Sequence, residues 1–162
     1  MPSISQLRKE EQALHALLFT QAQYKNYIPV KSDSLLRIAE AYYQTSNDSL
    51  HKAWTLFYLA QYYRDSDEKE KALSYFQQAN IASRNIENNQ FKFLLNLHWA
   101  GLLTNEDAYE KGIEKYQTAN RYAILLKDTL KQINLYGKWG WCCLLKEEDE
   151  RADSLFNVGL TL

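Results

Sequence analysis

The sequence contains very few of the residues that break secondary structure: five glycines and two prolines in 162 residues. Sheet proteins and nucleotide-binding α/β domains need many glycines in their turns, whereas helical proteins do not. Polar clusters of Ser, Asp, Asn and Glu recur here about every 20 residues, and each is a favourable helix N-terminus. Six of these clusters lie at residues 46–49, 66–68, 87–89, 105–107, 127–129 and 147–149. The sequence therefore predicts an all-α protein of about eight helices, each of roughly 13 to 20 residues, joined by short links.

A repeat with a step of 40 residues runs through the sequence from about residue 53 onward. Small residues and aromatic residues recur at this step. The recurring sets are Ala60, Ala100 and Gly140; Ala72, Gly112 and Ala152; Phe76, Tyr116 and Phe156; and Ala79, Ala119 and Gly159. Glycine inside a helix costs about 1 kcal/mol relative to alanine. We therefore expect two helix backbones to approach closely where these small residues lie.

Small residues facing large ones in antiparallel helix pairs resemble the tetratricopeptide repeat (TPR) family. The first unit matches through Leu56, Leu59, Ala60, Tyr63, Ala72, Phe76 and Ala79. The second matches through Trp99, Ala100, Leu103, Gly112, Tyr116 and Ala119, and the third through Tyr136, Trp139, Gly140, Ala152, Phe156 and Gly159. Asn96 and Cys143 depart from the large residues usual in this family. The resemblance implies a right-handed superhelix of antiparallel helix pairs.

The resemblance also divides the chain. A single TPR-like domain is expected over residues 1–162, with units at 49–87, 88–126 and 128–162. Residues 5–45 are expected to form a degenerate pair. In that pair the comparable roles fall to Leu17, Tyr24, Ile38 and Ala41. A period of about 40 also suits armadillo and HEAT repeats, but the small-large pattern favours TPR units with lengthened helices.

Residues 9–44 resemble TPR sensor and regulator proteins of Bacteroides-type bacteria, which are often attached to a membrane anchor. The sequence stops at Leu162, inside the second helix of a repeat, and no capping helix follows. Repeat arrays normally end in a polar capping helix. We therefore expect this chain to be a piece of a longer protein, or its open end to be covered by self-association.

Charge and hydropathy exclude some classes of partner. The chain has 19 Lys and Arg against 20 Asp and Glu, so it lacks the basic surplus that nucleic-acid binding requires. Its longest apolar run, Trp141–Leu145, is far shorter than the ~20 residues of a membrane span. The first 20 residues contain no secretion signal. We expect a soluble domain that does not insert into membranes, and its cellular compartment stays open.

No enzymatic constellation stands out in the sequence, which contains no nucleotide-loop, nucleophile-elbow or metalloprotease motif. Glu11 and His15 share a helix face, a spacing more typical of a surface pair than of a metal site. Cys142 and Cys143 are adjacent, and Cys143 occupies a core position of the repeat. We therefore expect no catalysis, no cofactor and no bound metal.

A second apolar stripe distinguishes the first helix of each unit. In the unit at residues 49–87 it runs through Trp54 and Phe57, away from the stripe that packs on the partner helix. The TPR resemblance implies that such stripes line a concave groove for an apolar helix or peptide segment. The groove residues expected on this basis are Trp54, Phe57, Gln61, Arg64, Leu94, Leu97, His98, Gly101, Asn105, Asn134, Lys138, Trp141 and Leu145. The expected function is a non-catalytic scaffold for binding a protein or peptide, as the sensor or adaptor part of a larger bacterial protein.

Several of these residues have a second interpretation. Trp54 and Phe57 could pack against the N-terminal helix pair, and Trp141 could belong to the core. Trp99 and Trp139 are expected in the core, and His98 is more typical of a satisfied polar residue than of a ligand. Two other functions also stay open. One is a homo-oligomerisation module that uses the same face and the open C-terminal end, and the other is a receptor with a small-ligand cavity near His98 and Trp141.

Overall fold

The computed structural model describes residues 8–162, and these residues form eight α-helices and no strand. The helices are α1 (Lys9–Lys25), α2 (Ser34–Tyr43), α3 (Ser49–Asp65), α4 (Lys69–Ala82), α5 (Asn89–Asn105), α6 (Tyr109–Leu126), α7 (Thr129–Leu145) and α8 (Asp149–Thr161). The all-α prediction is confirmed. The helix α2 has only 10 residues, because Pro29 and the polar residues after it delay its start. Residues 5–7 of the predicted N-terminal pair lie outside the described residues.

The repeat extends to the N-terminal helix pair. The odd-numbered helices begin at Lys9, Ser49, Asn89 and Thr129, at a constant step of 40 residues. Each of these four helices has 17 residues. The first helix is therefore in strict register with the other three, although its sequence resembles theirs only weakly.

Three of the odd-numbered helices begin with a side-chain cap at the same repeat position. The carboxylate of Asp48 accepts a hydrogen bond from the His51 backbone N–H at 3.0 Å. Asn88 accepts from Phe91 at 2.8 Å, and Asp128 accepts from Lys131 at 3.0 Å. Such caps satisfy backbone donors that a helix leaves unpaired at its start. The polar clusters preceding α3, α5 and α7 are therefore the predicted N-caps.

The polar clusters that link the two helices of a pair have a different role from the N-caps. At Tyr27, Asp67, Asp107 and Glu147 the backbone turns into the left-handed region, with φ between 55° and 63°. The N–H of the next residue then bonds back to the preceding helix, as from Glu148 to the Cys143 carbonyl at 2.9 Å. This geometry ends a helix and reverses the chain. The prediction of side-chain N-caps at residues 66–68, 105–107 and 147–149 is therefore wrong, since these clusters terminate the preceding helix.

The described residues form two compact units of four helices each, which are larger than the sequence repeats. The first unit extends up to Ile86, and the second unit extends from Glu87 to Leu162. In the first unit α1 packs on α2, α3 packs on α4, and α3 also contacts α1 and α2. Leu36 and Ala39 are fully buried on α2. The predicted pair Ile38 and Ala41 is instead exposed. That prediction is wrong because the helix turns Leu36 and Ala39, not Ile38 and Ala41, into the core.

A polar network centred on Arg37 joins α2, α3 and α4 in the first unit. The Arg37 guanidinium donates to Asp33, the N-cap residue of α2, at 2.9 Å and to Glu40 on the same helix at 2.6 Å. It also donates to the hydroxyls of Tyr63 and Tyr75, each at 2.5 Å. The two tyrosine rings are stacked 5.5 Å apart. Every hydrogen-bonding edge of the guanidinium thus has a partner, so one side chain connects three helices.

In the second unit α5 packs on α6, α7 packs on α8, and α7 contacts both α5 and α6. Its core holds Leu97, Tyr116, Leu135, Trp139 and both cysteines. Trp99 is also buried, so the core positions predicted for Trp99 and Trp139 are confirmed. A Cβ at Gly140 would lie 2.6 Å from the Phe156 ring. At Gly140 the missing side chain therefore makes room for an aromatic ring rather than for a second backbone. The predicted close approach of two backbones exists at Gly112, where a Cβ would lie 3.4 Å from the Ala100 carbonyl oxygen of α5.

Candidate functional site

The four predicted site residues on α3 lie in the first unit, and two of them are buried. Phe57 is 2% exposed and Gln61 is 4% exposed, whereas Trp54 and Arg64 are half-buried. The Phe57 ring lies 6.2 Å from that of Phe76 on α4. These burials remove Phe57 and Gln61 from the surface that an approaching partner meets.

Aromatic stacking explains the second stripe of α3. The Trp54 ring stacks on Tyr58 at 5.7 Å, and Tyr58 in turn stacks on Tyr24 of α1 at 5.4 Å. Burial raises the pKa of the Tyr24 and Tyr58 hydroxyls. Tyr58 is therefore the residue of this stripe that packs against the N-terminal helix pair, whereas the packing of Trp54 and Phe57 against that pair stays a prediction.

The predicted residues on α5 belong to the second unit and differ in accessibility. Leu97 is 8% exposed. Leu94, His98 and Gly101 are half-buried, and Asn105 is exposed. Within the described residues no heavy atom of a neighbouring element lies within 4 Å of the position that a Cβ at Gly101 would take. The middle of α5 therefore has free space beside its backbone.

The four predicted residues on α7 form the most accessible part of the set. Asn134 and Lys138 are exposed, Leu145 is 40% exposed and Trp141 is 57% exposed. This exposure excludes the core interpretation of Trp141. Leu130, which was not among the predicted residues, is 78% exposed on the same side of the helix. We call Leu130, Asn134, Lys138, Trp141 and Leu145 the α7 stripe.

Sequence reasoning missed Leu130 although the signal was present. Leu130 and Trp141 are eleven residues apart, a spacing of about three helical turns that puts both on one face. The α5 and α7 sets share the second unit, where these two helices are in contact. The grouping of all thirteen residues into one groove stays a prediction.

The two cysteines of α7 do not have the environment of a reactive nucleophile. Cys142 and Cys143 are fully buried, and burial raises the pKa of both thiols. They are therefore protonated at neutral pH, and the protonated thiol is a poor nucleophile. Among residues 8–162, no group of three or more His, Cys, Asp or Glu side chains is placed to hold a metal ion.

None of the thirteen predicted residues lines either of two clefts found in the two units. A cleft of about 440 Å³ in the first unit is bounded by α2, α3 and α4. Its lining is Glu40, Tyr43, Gln44, Ser49, Lys52, Thr55, Leu56, Gln78, Ile81, Ala82 and Asn85. A cavity of about 340 Å³ in the second unit lies between α7 and α8, and its lining is Ile133, Gly137, Phe156, Gly159 and Leu160. Neither is lined by His98 or Trp141, the residues around which a small-ligand cavity was considered.

In the described part of the chain, no helix has the length and apolar character needed to cross a bilayer. The second unit exposes the α7 stripe, in which Trp141 is the aromatic residue. No protein-family model matches this chain, and no curated protein is significantly similar to it in sequence.

Proposed function

We propose that this chain is a non-catalytic scaffold of the TPR type that binds a protein or peptide segment. In this proposal the helix pairs form a right-handed superhelix, and the chain is the sensor or adaptor part of a larger bacterial protein. The 40-residue step of the odd-numbered helices supports the repeat architecture. Repeat proteins use the surfaces of their stacked helices for binding.

The exposed Trp141 is the observation that carries the proposal. Tryptophan is enriched among residues that dominate binding energy, and truncating such an anchor typically costs about 2–4 kcal/mol of binding free energy. Trp141 is 57% exposed on α7 with Leu145 and Leu130 on the same side. Large apolar side chains exposed together on one side of a helix are typical of an interaction surface.

The α7 stripe suits an amphipathic helical segment. Leu130 and Leu145 are fifteen residues apart, which is about 22 Å along a helix. A partner helix of about four turns would cover that length with apolar residues at every third or fourth position. The exposed Lys138, one turn before Trp141, favours a partner with an acidic residue beside its apolar face.

A displayed library of amphipathic helical peptides tests this function. Peptides selected on the wild-type chain are expected to bind Trp141→Glu at least about 30-fold more weakly, because the substitution places a charge where the anchor was buried. Isothermal titration of the selected peptides measures the affinities. Trp141 is the residue of choice, since a charge at the buried Phe57 would unfold the first unit.

Leu125→Glu is the matched control, since Leu125 is 61% exposed on α6 and lies outside the α7 stripe. Binding to this variant is expected to equal that of the wild-type chain. Equal affinity of Trp141→Glu and Leu125→Glu for the selected peptides would place binding on another surface. Selection of no peptide by the wild-type chain would contradict the proposed function.

A further inference from the structure

The same helix contact occurs once in each compact unit. In the first unit α3 packs against the pair α1 and α2, and in the second unit α7 packs against the pair α5 and α6. The entering helices α3 and α7 begin 80 residues apart, at Ser49 and Thr129, which is two repeat steps. Each contact therefore has an entering side on an odd-numbered helix and a receiving side on the preceding pair.

The entering side is defined by buried positions on α3 and α7. On α7, the sulfur of Cys142 lies 3.5 Å from the position of a Cβ at Gly112 on α6, and Leu135 is fully buried. On α3, Thr55 corresponds to Leu135 and Leu59 corresponds to Trp139, and all four residues are buried. Tyr58 of α3 is also buried and stacks on Tyr24 of the preceding pair, whereas its counterpart on α7, Lys138, is exposed.

The first helix, α1, carries an apolar set at the same positions, but there it is exposed. Leu18 and Phe19 are 49% and 48% exposed, and His15 and Ala22 are exposed beside them. By steps of 40 residues, Phe19 corresponds to the buried Leu59 and Trp139, and Ala22 corresponds to the buried Cys142. Leu18 corresponds to the buried Tyr58 on α3 and to the exposed Lys138 on α7. We call His15, Leu18, Phe19 and Ala22 the entering face of α1.

The receiving side is buried within both units, whereas its counterpart on α7 and α8 lines an open cavity. Phe93, Leu97 and Tyr116 are buried in the core that includes residues of α7. Ala13, Leu17 and Leu36, at the corresponding positions in the first unit, are also buried.

One repeat after Phe93, Leu97 and Tyr116, the corresponding residues are Ile133, Gly137 and Phe156, which line the 340 Å³ cavity. Ile133 is 40% exposed, and Leu160 at the edge of the cavity is 84% exposed. We call this cavity and its edge the receiving face of α7 and α8.

From these two faces we infer that the chain associates head to tail with a second copy of itself, the entering face of α1 in one copy packing into the receiving face of α7 and α8 in the next. The interface continues a contact that the fold already forms twice. The entering face of α1 and the cavity lie at matching repeat positions. The side chains that would fill the cavity are therefore His15, Leu18, Phe19 and Ala22 of a second copy. The inference does not depend on the α7 stripe binding a peptide.

Charge supports a parallel arrangement of α1 and α7 in this contact. Successive helices joined by short links run antiparallel, so α5 and α7 run parallel, and α1 in the same role would run parallel to α7. Its last turn, with Lys25, would then lie near Glu147 of the α7–α8 link and near Asp149 and Glu150 in the first turn of α8. The opposite direction would remove Lys25 from these carboxylates.

A head-to-tail contact uses two different faces, so its products are open chains or rings rather than closed symmetric dimers. This property separates the inference from a two-fold dimer, in which one face packs on itself. A charge in either face is therefore expected to prevent a copy from associating with identical copies. Two copies that each keep a different intact face can still form one contact with each other.

Sedimentation velocity and light scattering of the whole chain, from about 1 µM to about 500 µM, test the inference. The wild-type mass is expected to rise with concentration. Leu18→Glu and Leu160→Glu are each expected to remain monomeric, because each places a charge in the contact. An equimolar mixture of the two is expected to give a species of twice the monomer mass and nothing larger, since one intact face remains on each copy.

Both substituted leucines are at least 49% exposed, so the variants are expected to keep wild-type circular dichroism and melting. Leu125→Glu is the control and is expected to associate like the wild-type chain. A wild-type chain that stays monomeric at every concentration would overturn the inference. A mixture that contains no dimer would also overturn it, because the two intact faces would then not bind each other. So would a single variant that still associates, because the contact would then not need the substituted face.

Discussion

Gly140 shows most directly how one residue determines the packing of a helix pair. The Phe156 ring of α8 fills the space that a side chain at Gly140 would need, with three ring atoms within 2.9 Å of the Cβ position. Gly101, also inside a helix, has no such neighbour among the described residues. The two glycines therefore have opposite expected responses to the same substitution.

Gly140→Ala is expected to lower the free energy of unfolding by about 1–2 kcal/mol, because overpacking outweighs the gain in helix propensity. Gly101→Ala is expected to raise it by up to about 1 kcal/mol, because propensity acts there without a clash. Urea unfolding of both variants measures the difference.

Phe156→Leu is the companion substitution for Gly140→Ala. If the ring is the cause, the double variant loses less stability than the sum of the two single variants, a coupling that a double-mutant cycle detects. Strict additivity would show that the alanine acts on something other than Phe156.

At the level of single residues, the sequence predicted which residues face a neighbouring helix better than it predicted which residues are buried. The small-residue pattern correctly placed Gly140 against another helix. It could not separate Phe57 from Trp141, since both lie on a second apolar stripe, yet one is 2% and the other 57% exposed. Burial of such a stripe depends on which neighbouring helix covers it, and that information lies outside the helix itself.

The helix pairs depend on links in which the chain reverses through a left-handed residue. None of Tyr27, Asp67, Asp107 and Glu147 is a glycine, although a side chain in this conformation costs about 1–2 kcal/mol. Each link is nevertheless closed by backbone hydrogen bonds of about 3 Å, as at Glu147 and Glu148. The links therefore tolerate a local cost that the packing of the pair outweighs.

Glu147→Gly is expected to raise the free energy of unfolding by about 0.5–1 kcal/mol, because glycine adopts a positive φ without a steric penalty. Thermal and urea unfolding measure the change. Glu147→Ala is the control, since it removes the same charge but keeps the Cβ, and no comparable gain is expected. An equal gain with alanine would assign the effect to charge repulsion among Glu147, Glu148, Asp149 and Glu150.

At the level of elements, the sequence predicted the approximate number of helices and the N-caps of α3, α5 and α7, because capping residues and the 40-residue step act locally. It misplaced the core of α2 at Ile38 and Ala41, although the same step applied to Phe76 and Ala79 leads to Leu36 and Ala39. The network of Arg37 could not be predicted. Its tyrosine partners are 26 and 38 residues away, and no periodic pattern marks a polar contact between helices.

At the scale of the whole molecule, buried tyrosines connect stability with pH. Burial raises the pKa of Tyr116 in the second unit to about 12, and of Tyr63 in the first unit to about 12. In the unfolded chain a tyrosine loses its proton near pH 10. Between these values the unfolded state releases protons that the folded state keeps, so the free energy of unfolding falls as the pH rises above about 10.

Tyr116→Phe isolates this effect because phenylalanine keeps the ring and has no ionisable group. From pH 8 to pH 10 the wild-type chain and the variant are expected to differ in stability by a constant amount. Above about pH 10 the wild-type chain is expected to lose roughly 1 kcal/mol per pH unit more than the variant. Parallel curves for the two proteins up to about pH 11.5 would contradict the raised pKa of Tyr116.

The short links described above also have a consequence for how the chain forms during synthesis. Each link joins two helices whose contacts lie within about 40 residues of sequence, and folds with such local contacts form in microseconds to milliseconds. A ribosome adds about 5–20 residues per second, so several seconds separate the emergence of successive helix pairs. Each pair can therefore close before the next one leaves the exit tunnel, and the growing chain exposes at most one unpaired apolar helix at a time.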